Sequence, residues 1–273
     1  MPATRCGSPE AFIAGRGMFA RGRPLKRWRW VGVFDHELML CAAQVRIGPA
    51  RQSFWALYAP GQAALRERTR LLPRRGEVVL EPGRLKIADR GVSLDLELGE
   101  EPGIEARCPN GRSESWTRKQ AGVRATGTLA LDGGPPRPVT ARAVIDDSAG
   151  WHERVTEWRW SAGVGEAPDG TPLAWNLVTG INDPASGSER AVWVDGVPHE
   201  VGPVEFDPAL RFIRTGAASQ LRFEAEAERS RRENLLLVSS EYRAPFGTFS
   251  GTLPGGVELA SGRGVMEHHR ARW

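Results

Sequence analysis

The chain has 273 residues, enough for one large β-domain or two domains of ordinary size, and its internal pattern favours two. Its 37 basic and 33 acidic side chains nearly cancel, to a net charge of +4, and the pI near 9.3 comes from arginine, since the only lysines are Lys26, Lys86 and Lys119. The arginines are scattered singly or in pairs among glutamates, as at Arg66, Arg68 and Arg70, which argues against a nucleic-acid surface.

Residues 1–27 are rich in Gly and Arg, with a short apolar patch at Ala11–Ala14, and read as an irregular arm covering an open sheet edge. They carry no apolar leader core, and no run of about 18 apolar residues occurs anywhere. Neither a secretory signal nor an integral membrane segment is therefore expected, and the expected location is cytoplasmic. Trp28–Phe34 is the first strong strand. It is followed by the polar break Asp35-His36-Glu37 and by apolar runs at Leu38–Ile47 and Ser53–Tyr58, the punctuation of an antiparallel meander. Ala63–Leu72 mixes leucines and charges in a way that suggests a short helix or turn. Further strands are expected at Val78–Leu80, Arg84–Ala88 and Val92–Leu98. In the last of these Val92, Leu94, Leu96 and Leu98 share one face, with Ser93, Asp95 and Glu97 on the other. Trp116–Leu131 and Val139–Ile145 complete the first half.

Asp146-Asp147-Ser148-Ala149-Gly150 reads as the boundary between an N-terminal domain over 1–148 and a C-terminal one over 149–273. Strands follow at Val155–Val164, Leu173–Ile181, Ala191–Val194, Pro203–Phe206, Gln220–Glu228, Leu235–Tyr242, Phe246–Leu253 and Gly264–Trp273. Asp169-Gly170, Asp195-Gly196 and Gly255-Gly256 supply hairpin-turn chemistry. With no long helices to make crossovers, the fold class is all-β: two antiparallel β-barrels or sandwiches side by side. The halves echo each other. Trp28-Arg29-Trp30 and Trp158-Arg159-Trp160 stand in corresponding places ahead of similar apolar strands.

Residues two apart on a strand share a face, so Trp28 with Trp30, and Trp158 with Trp160, each form a broad indole wall. Such a wall either fills a barrel core or lines a cavity for an apolar ligand, where its ring faces would stabilise a developing cation. Asn176, inside an apolar strand, must have its amide satisfied, by a neighbouring strand or by a ligand. Glu189 and Arg190 sit at a strand mouth, where a solvated ion pair is the ordinary explanation. In the closing strand Glu267 and His269 share a face and form a candidate carboxylate–imidazole pair for acid–base work. His36 and His199 read as turn residues. Cys6, Cys41 and Cys108 are too widely spaced for a disulfide framework or a metal knuckle, and no metal site is expected. No phosphate loop, dinucleotide fingerprint or nucleophile elbow occurs, and no cofactor is expected.

The combination of Trp28–Phe34 with Leu38–Ala43, Trp158–Gly163 with Trp175-Asn176-Leu177 and Gly187–Arg190, and Pro245–Gly251 with Gly264–Glu267 resembles the domain-of-unknown-function family 2804. That family is in turn remotely similar to calycin-type double-barrel proteins, among them carotenoid hydratases and tocopherol cyclases. The resemblance implies a lipocalin-like fold and an apolar, isoprenoid-sized cavity; it transfers no activity, because fold does not determine function. Relatives carry a histidine shortly before the triplet, where this chain has Val155, with His152 nearby, so a catalytic histidine on that strand is not expected. Two functions remain in view. One is binding of an apolar, isoprenoid- or lipid-like small molecule between aromatic walls (Trp28, Trp30, Trp158, Trp160), with Asn176, Glu189 and Arg190 orienting its polar end. The other is a cofactor-independent hydratase or cyclase in which Glu267 or His269 delivers a proton. A purely structural role needs no cavity at all.

Overall fold

In the computed structural model, which describes residues 8–61, 64–216, 219–235 and 238–272, the alternation at 92–98 is a strand: Val92, Leu94, Leu96 and Leu98 are buried while Ser93 and Glu97 are exposed. The same logic holds along the chain, which is 68% strand and 2% helix. A single-turn helix α1 (Pro9–Ile13) comes first. The first half continues with β1 (Phe19–Ala20), β2 (Arg23–Pro24), β3 (Lys26–Phe34), β4 (Met39–Ile47), β5 (Ala50–Tyr58) and β6 (Arg66–Leu71), then β7 (Val78–Glu81), β8 (Arg84–Asp89), β9 (Val92–Leu98), β10 (Ile104–Asn110), β11 (Ser113–Leu131) and β12 (Arg137–Gly150). The second half holds β13 (Val155–Glu166), β14 (Pro172–Thr179), β15 (Ala191–Val194), β16 (Val197–Glu200) and β17 (Glu205–Phe206), then β18 (Phe212–Thr215), β19 (Ser219–Leu235), β20 (Val238–Leu253) and β21 (Val257–Arg272).

These strands form two curled antiparallel sheets, one from each half. The first has the order β6-β5-β4-β3-β12-β11-β9-β8-β7, with β10 also paired to β11; the second has the order β16-β15-β14-β13-β21-β20-β19-β18-β17. The two orders are the same. In each, the Trp-Arg-Trp strand opens the sheet in sequence and is hydrogen-bonded to the strand that closes it, β3 to β12 and β13 to β21. The similarity of the two triplets is thus a similarity of position in a repeated topology.

Each sheet encloses its own core. Val31, Leu40, Leu57, Ile87 and Leu96 are among the residues inside the first, and Trp175, Leu221, Phe249 and Met266 among those inside the second. A third cluster, with Trp30, Phe34, Trp160, Ala162 and Val164, lies between the sheets. The period-2 rule explains the division: Val31 and Val33 face inward, whereas Trp30 and Phe34 face the other sheet. Burial of this much apolar surface, at roughly 25 cal/mol per Å², is the main force holding the sheets together. Turn chemistry is as expected at Asp195-Gly196, where both residues take positive φ (49° and 77°) between β15 and β16.

Four expectations are corrected. Ala63–Leu72 does not give a helix; among its described residues Arg66–Leu71 is an edge strand. Its alternation is one of charge: Arg68 and Arg70 reach Asp89 on one face, and Glu67 meets Arg229 of the second half on the other. Asp146–Gly150 is no break but the last part of β12. Among its described residues the arm packs on the sheet through Phe12, which meets Trp116, Ala149 and Trp151, against β11, β12 and the link that follows, and not along an open edge. His199 belongs to an exposed strand, β16. Cys41 and Cys108 are free and buried, while Cys6 lies outside the described residues. Among the described residues no helix is long and apolar enough to cross a membrane.

Candidate functional site

Because Lys26, Trp28 and Trp30 alternate along β3, and Trp158 and Trp160 along β13, all five project into the space between the sheets. There they line a cavity of about 320 Å³. The indole walls thus neither fill a barrel nor line the inside of one; they face each other across the junction of two sheets. Trp30 meets Trp160 edge to face, with ring centroids 4.9 Å apart. Val45, Phe54, Val178 and Ile181 complete the apolar lining, and the exposed Arg51, Leu71 and Arg231 mark its mouth. A larger groove of about 1460 Å³, lined by Arg124, Arg142, Arg222 and Arg263 among others, opens to solvent and contains none of the nine candidate site residues.

Strand register places the polar groups. In the first sheet Lys119, Asp146 and Trp30 are neighbours across β11, β12 and β3. Lys119 Nζ lies 2.5 Å from Asp146 and 3.4 Å from Glu189, and all three side chains are nearly or fully buried. Burial opposes the Lys119 charge, but Asp146 and Glu189 outweigh it and raise its pKa. Burial also raises the Glu189 pKa, against the pull of Lys119. Asp146 accepts from the Trp28 indole (3.0 Å) and from Ser148 Oγ (2.9 Å), and Glu189 accepts from Asn182 Nδ2 (2.9 Å).

The second sheet repeats the arrangement with different chemistry. Glu267 is paired with Trp160 in register and accepts from the Trp158 indole at 2.7 Å, as Asp146 is paired with Trp30 and accepts from Trp28. Tyr242 is a further hydrogen-bond partner of Glu267. No salt bridge reaches Glu267 among the described residues, and the stretch of β20 alongside it carries Ala244 and Pro245 where β11 carries Lys119. Burial therefore dominates and pushes its pKa up to about 7, despite the two hydrogen bonds. Next to it His269 stacks on Trp158, with centroids 4.3 Å apart, and shares a hydrogen bond of 2.8 Å with Ser240 Oγ. Burial, and after it the positive charge of neighbouring groups, lowers the His269 pKa to about 3. Tyr242 is raised by burial and by Glu267. Arg229 spans the sheets, over the rings of Phe54 (4.1 Å) and Tyr242 (4.8 Å), and donates to Thr69 Oγ1.

Seven of the nine residues singled out from the sequence thus line one cavity: Trp28, Trp30, Trp158, Trp160, Glu189, Glu267 and His269. Asn176 stands behind the wall, accepting from Trp160 Nε1 and donating to the Glu189 carbonyl, both at 2.8 Å, so it ties strands together. Arg190 turns away. Its guanidinium donates to the carbonyls of Asp183, Pro184 and Val201, and the expected solvated pair with Glu189 does not form, since both side chains are buried. Glu267 and His269 share the cavity but bond to different partners. His152 packs beside Trp28 and bonds to Asn110. Sequence reasoning missed Lys26, Lys119, Asp146, Asn182, Tyr242 and Arg229. Asp146 corresponds to Glu267 only in register, each lying opposite the second tryptophan of its triplet. Among the described residues no group of three His, Cys, Asp or Glu side chains is placed to hold a metal.

The family model for a domain of unknown function (DUF2804) matches residues 75–273. The chain belongs to that family. The match takes in β13 to β21 and the Asp146 strand, and leaves the first triplet outside it. No curated protein matches the sequence. Among solved structures, a protein assigned as AttH from Nitrosomonas europaea shares the fold at 15% identity, with a TM-score of 0.52 and 98% of each chain covered. Kievitone hydratase from Nectria haematococca does so at 10% identity, with a TM-score of 0.57, 89% of this chain and 88% of that one being covered. At these identities the DUF2804 chain shares a fold with both, of the double-barrel type.

Proposed function

We propose that this protein binds an apolar, isoprenoid- or lipid-like small molecule in the cavity between its two sheets. The observation that carries the reading is the cavity itself: four indoles and several aliphatic side chains form much of its walls, and two groups of buried polar side chains, around Asp146 and around Glu267, lie among them. Its volume falls at the lower end of the range of roughly 300–1,000 Å³ common for small-molecule sites. Lys119 with Asp146 and Glu189 at one cluster, and Glu267 with Tyr242 at the other, are the groups able to orient a hydroxyl or carbonyl on an otherwise apolar ligand. Native mass spectrometry of protein purified from its own host tests this. A co-purifying apolar ligand is the expected result, and an apo mass together with no tryptophan response to any apolar compound would overturn it.

One observation favours a second reading, a cofactor-independent hydratase or cyclase. Glu267 is a buried carboxyl with a pKa of about 7 on an aromatic-walled cavity, so at neutral pH it holds a transferable proton. Its proton would pass to one carbon of an alkene, leaving a cation at the other that the indole faces stabilise. Water, or a hydroxyl of the ligand itself, would then close on the cation and return a proton to the carboxylate, which Trp158 and Tyr242 hold by hydrogen bonds. With its pKa near 3, His269 is neutral and is no proton donor here; its place beside Trp158 and Ser240 suits holding the wall in position. That kievitone hydratase is a hydratase by name agrees with this reading, although the likeness is one of fold. Glu267→Gln is expected to lower turnover about 10²–10⁴-fold with ligand affinity nearly unchanged, and equal loss of both would remove the catalytic reading.

A further inference from the structure

Six large apolar side chains are more than half exposed among the described residues, and four of them, Met18, Phe19, Leu71 and Leu72, gather at the end of the molecule where the cavity opens. Leu71 lines the cavity while 55% exposed. Leu72, next in the chain, is 80% exposed, and its N–H donates to the Arg51 carbonyl at 3.0 Å, which sets it beside the β4–β5 hairpin of the same rim. The Phe19 ring, 60% exposed, reaches the turn of that hairpin, 3.6 Å from where a Cβ on Gly48 would stand. Leu72 is held at a φ of 59°, a region that leucine rarely enters. A strained backbone that presents an apolar side chain to solvent gains nothing for the fold, and such outliers point to a function.

The charge around this rim is one-sided. Arg46 and Arg51 stand directly opposite each other across β4 and β5, a like-charge pair that costs stability. Arg74 and Arg75 follow Leu72 and Pro73 on the way to β7. All four are exposed, and none of their guanidinium groups has an acidic partner among the described residues. The nearby carboxylates are already taken, Glu77 by Arg70 at 2.6 Å and Glu233 by Arg231 at 2.5 Å.

We propose that this rim docks on an anionic lipid bilayer, with Leu72 and Phe19 entering the acyl boundary and Arg46, Arg51, Arg74 and Arg75 on the head-group phosphates. Buried apolar area and attraction to anionic lipid add in such binding. A second copy of the chain is the poorer occupant, because a two-fold contact through this patch sets arginines against arginines. An acidic protein would answer the charges alone. A bilayer also explains why the patch borders the mouth of an apolar cavity, since it holds the compounds that water dissolves poorly, and docking opens the mouth onto them. The docking stands on the surface; its use in loading the cavity rests on the reading that the cavity takes an apolar small molecule.

The full chain is mixed with vesicles of phosphatidylcholine, or of phosphatidylcholine and phosphatidylglycerol in equal parts, and bound protein is measured by flotation. Tryptophan quenching by geraniol, an isoprenoid alcohol, is followed separately in vesicle-free buffer. The expected result is binding to the anionic vesicles about tenfold or more tighter than to the neutral ones, weakening as salt is raised. Leu72→Asp, and Arg74→Glu together with Arg75→Glu, should each lower that binding about tenfold or more, with quenching by geraniol unchanged. Aspartate accepts a positive φ better than leucine does, so Leu72→Asp should fold as the wild type does, which near-UV circular dichroism checks. Should one variant not fold, the other and the two vesicle types decide. Equal binding to both kinds of vesicle, or binding that neither variant weakens, overturns the docking. Absence of vesicle binding overturns it too, and leaves the rim to a protein partner or, where light scattering finds a dimer that Leu72→Asp dissociates, to a second copy. Vesicle binding without quenching by geraniol keeps the docking and removes the cavity reading; quenching without vesicle binding does the reverse.

Discussion

The two polar clusters of the cavity occupy equivalent places in a repeated topology and behave as opposites. In the first sheet the row Trp30, Asp146, Lys119 puts a lysine beside the carboxylate; in the second the row Trp160, Glu267 reaches Ala244 and Pro245 and finds no cation. Each carboxyl also receives the indole N–H of the first tryptophan in its triplet, at 3.0 and 2.7 Å. With the indole donors alike on the two sides, what differs is the neighbouring strand, which brings a cation to Asp146 and, among the described residues, none to Glu267. A buried carboxyl that has only neutral hydrogen-bond donors holds its proton until about pH 7, as Glu267 does. One repeated arrangement of strands thus supplies an ion pair in one sheet and an exchangeable proton in the other.

The sharpest way to break this comparison is to remove the carboxyl on each side in turn. Asp146→Ala should be the more damaging, costing about 3–5 kcal/mol, because it leaves Lys119 buried with only Glu189 at 3.4 Å and strips the Trp28 indole of its acceptor. Glu267→Gln keeps a neutral acceptor for Trp158 and should cost less than about 1 kcal/mol at pH 6, where the wild-type carboxyl is itself mostly protonated. Urea unfolding at pH 6 compares them. Equal losses would mean that the lysine is not what separates the two sides.

The next effect is in the pH dependence. The Glu267 pKa is raised from 4.5 to about 7 on folding, so between those values the folded state binds more protons than the unfolded one, and wild-type stability falls as pH rises across that window. The loss totals about 3 kcal/mol above pH 7. Glu267→Gln cannot titrate there. The wild-type-minus-variant difference should therefore drop by that amount between pH 4.5 and about 7 and then level off. His152 and His269, both depressed to about 3, act in the other direction: their contribution is lost as pH falls below 6.5. They are common to both proteins and cancel in the difference. A difference independent of pH would show that Glu267 is ionised in the folded protein.

How far the sequence could be read depended on which side chains carry a period and which carry only a role. The indole walls were legible because alternation fixes the face of a strand, and Trp28, Trp30, Trp158 and Trp160 do reach one space. That this space lies between sheets was not, since an alternating strand has two faces and nothing local says which one meets a second sheet. Glu267 and His269 were visible as a same-face pair, but their separate partners, Tyr242 and Ser240, come from another strand. Asp146 was hidden because Asp-Asp-Ser-Ala-Gly has the composition of a turn; Lys119 beside Asp146, and Arg29 and Arg118 beside Asp147, are what stabilise two carboxylates inside β12. The edge strand 66–71 was misread as a helix because its alternation is of opposite charges, whose partners Asp89 and Arg229 are remote in sequence.

The smallest effect tests how alike the second tryptophans are. Trp30 and Trp160 touch edge to face, are each 6% exposed and pack in the same cluster, so truncating either indole to a phenyl removes a similar apolar area. Their ring nitrogens differ. Trp160 Nε1 donates to Asn176 Oδ1 at 2.8 Å, while Trp30 Nε1 is buried with no partner among the described residues. Trp160→Phe leaves the Asn176 oxygen buried and unsatisfied, whereas Trp30→Phe removes a donor that was already unsatisfied, a change that is close to neutral or stabilising in the polar part. Trp160→Phe should therefore be less stable than Trp30→Phe by about 1–2 kcal/mol in urea unfolding at a single pH, with the common packing loss cancelling. Because Asn176 also donates to the Glu189 carbonyl, Trp160→Phe together with Asn176→Ala should cost less than the sum of the two single changes. Strict additivity would mean that the amide holds its strands without the indole.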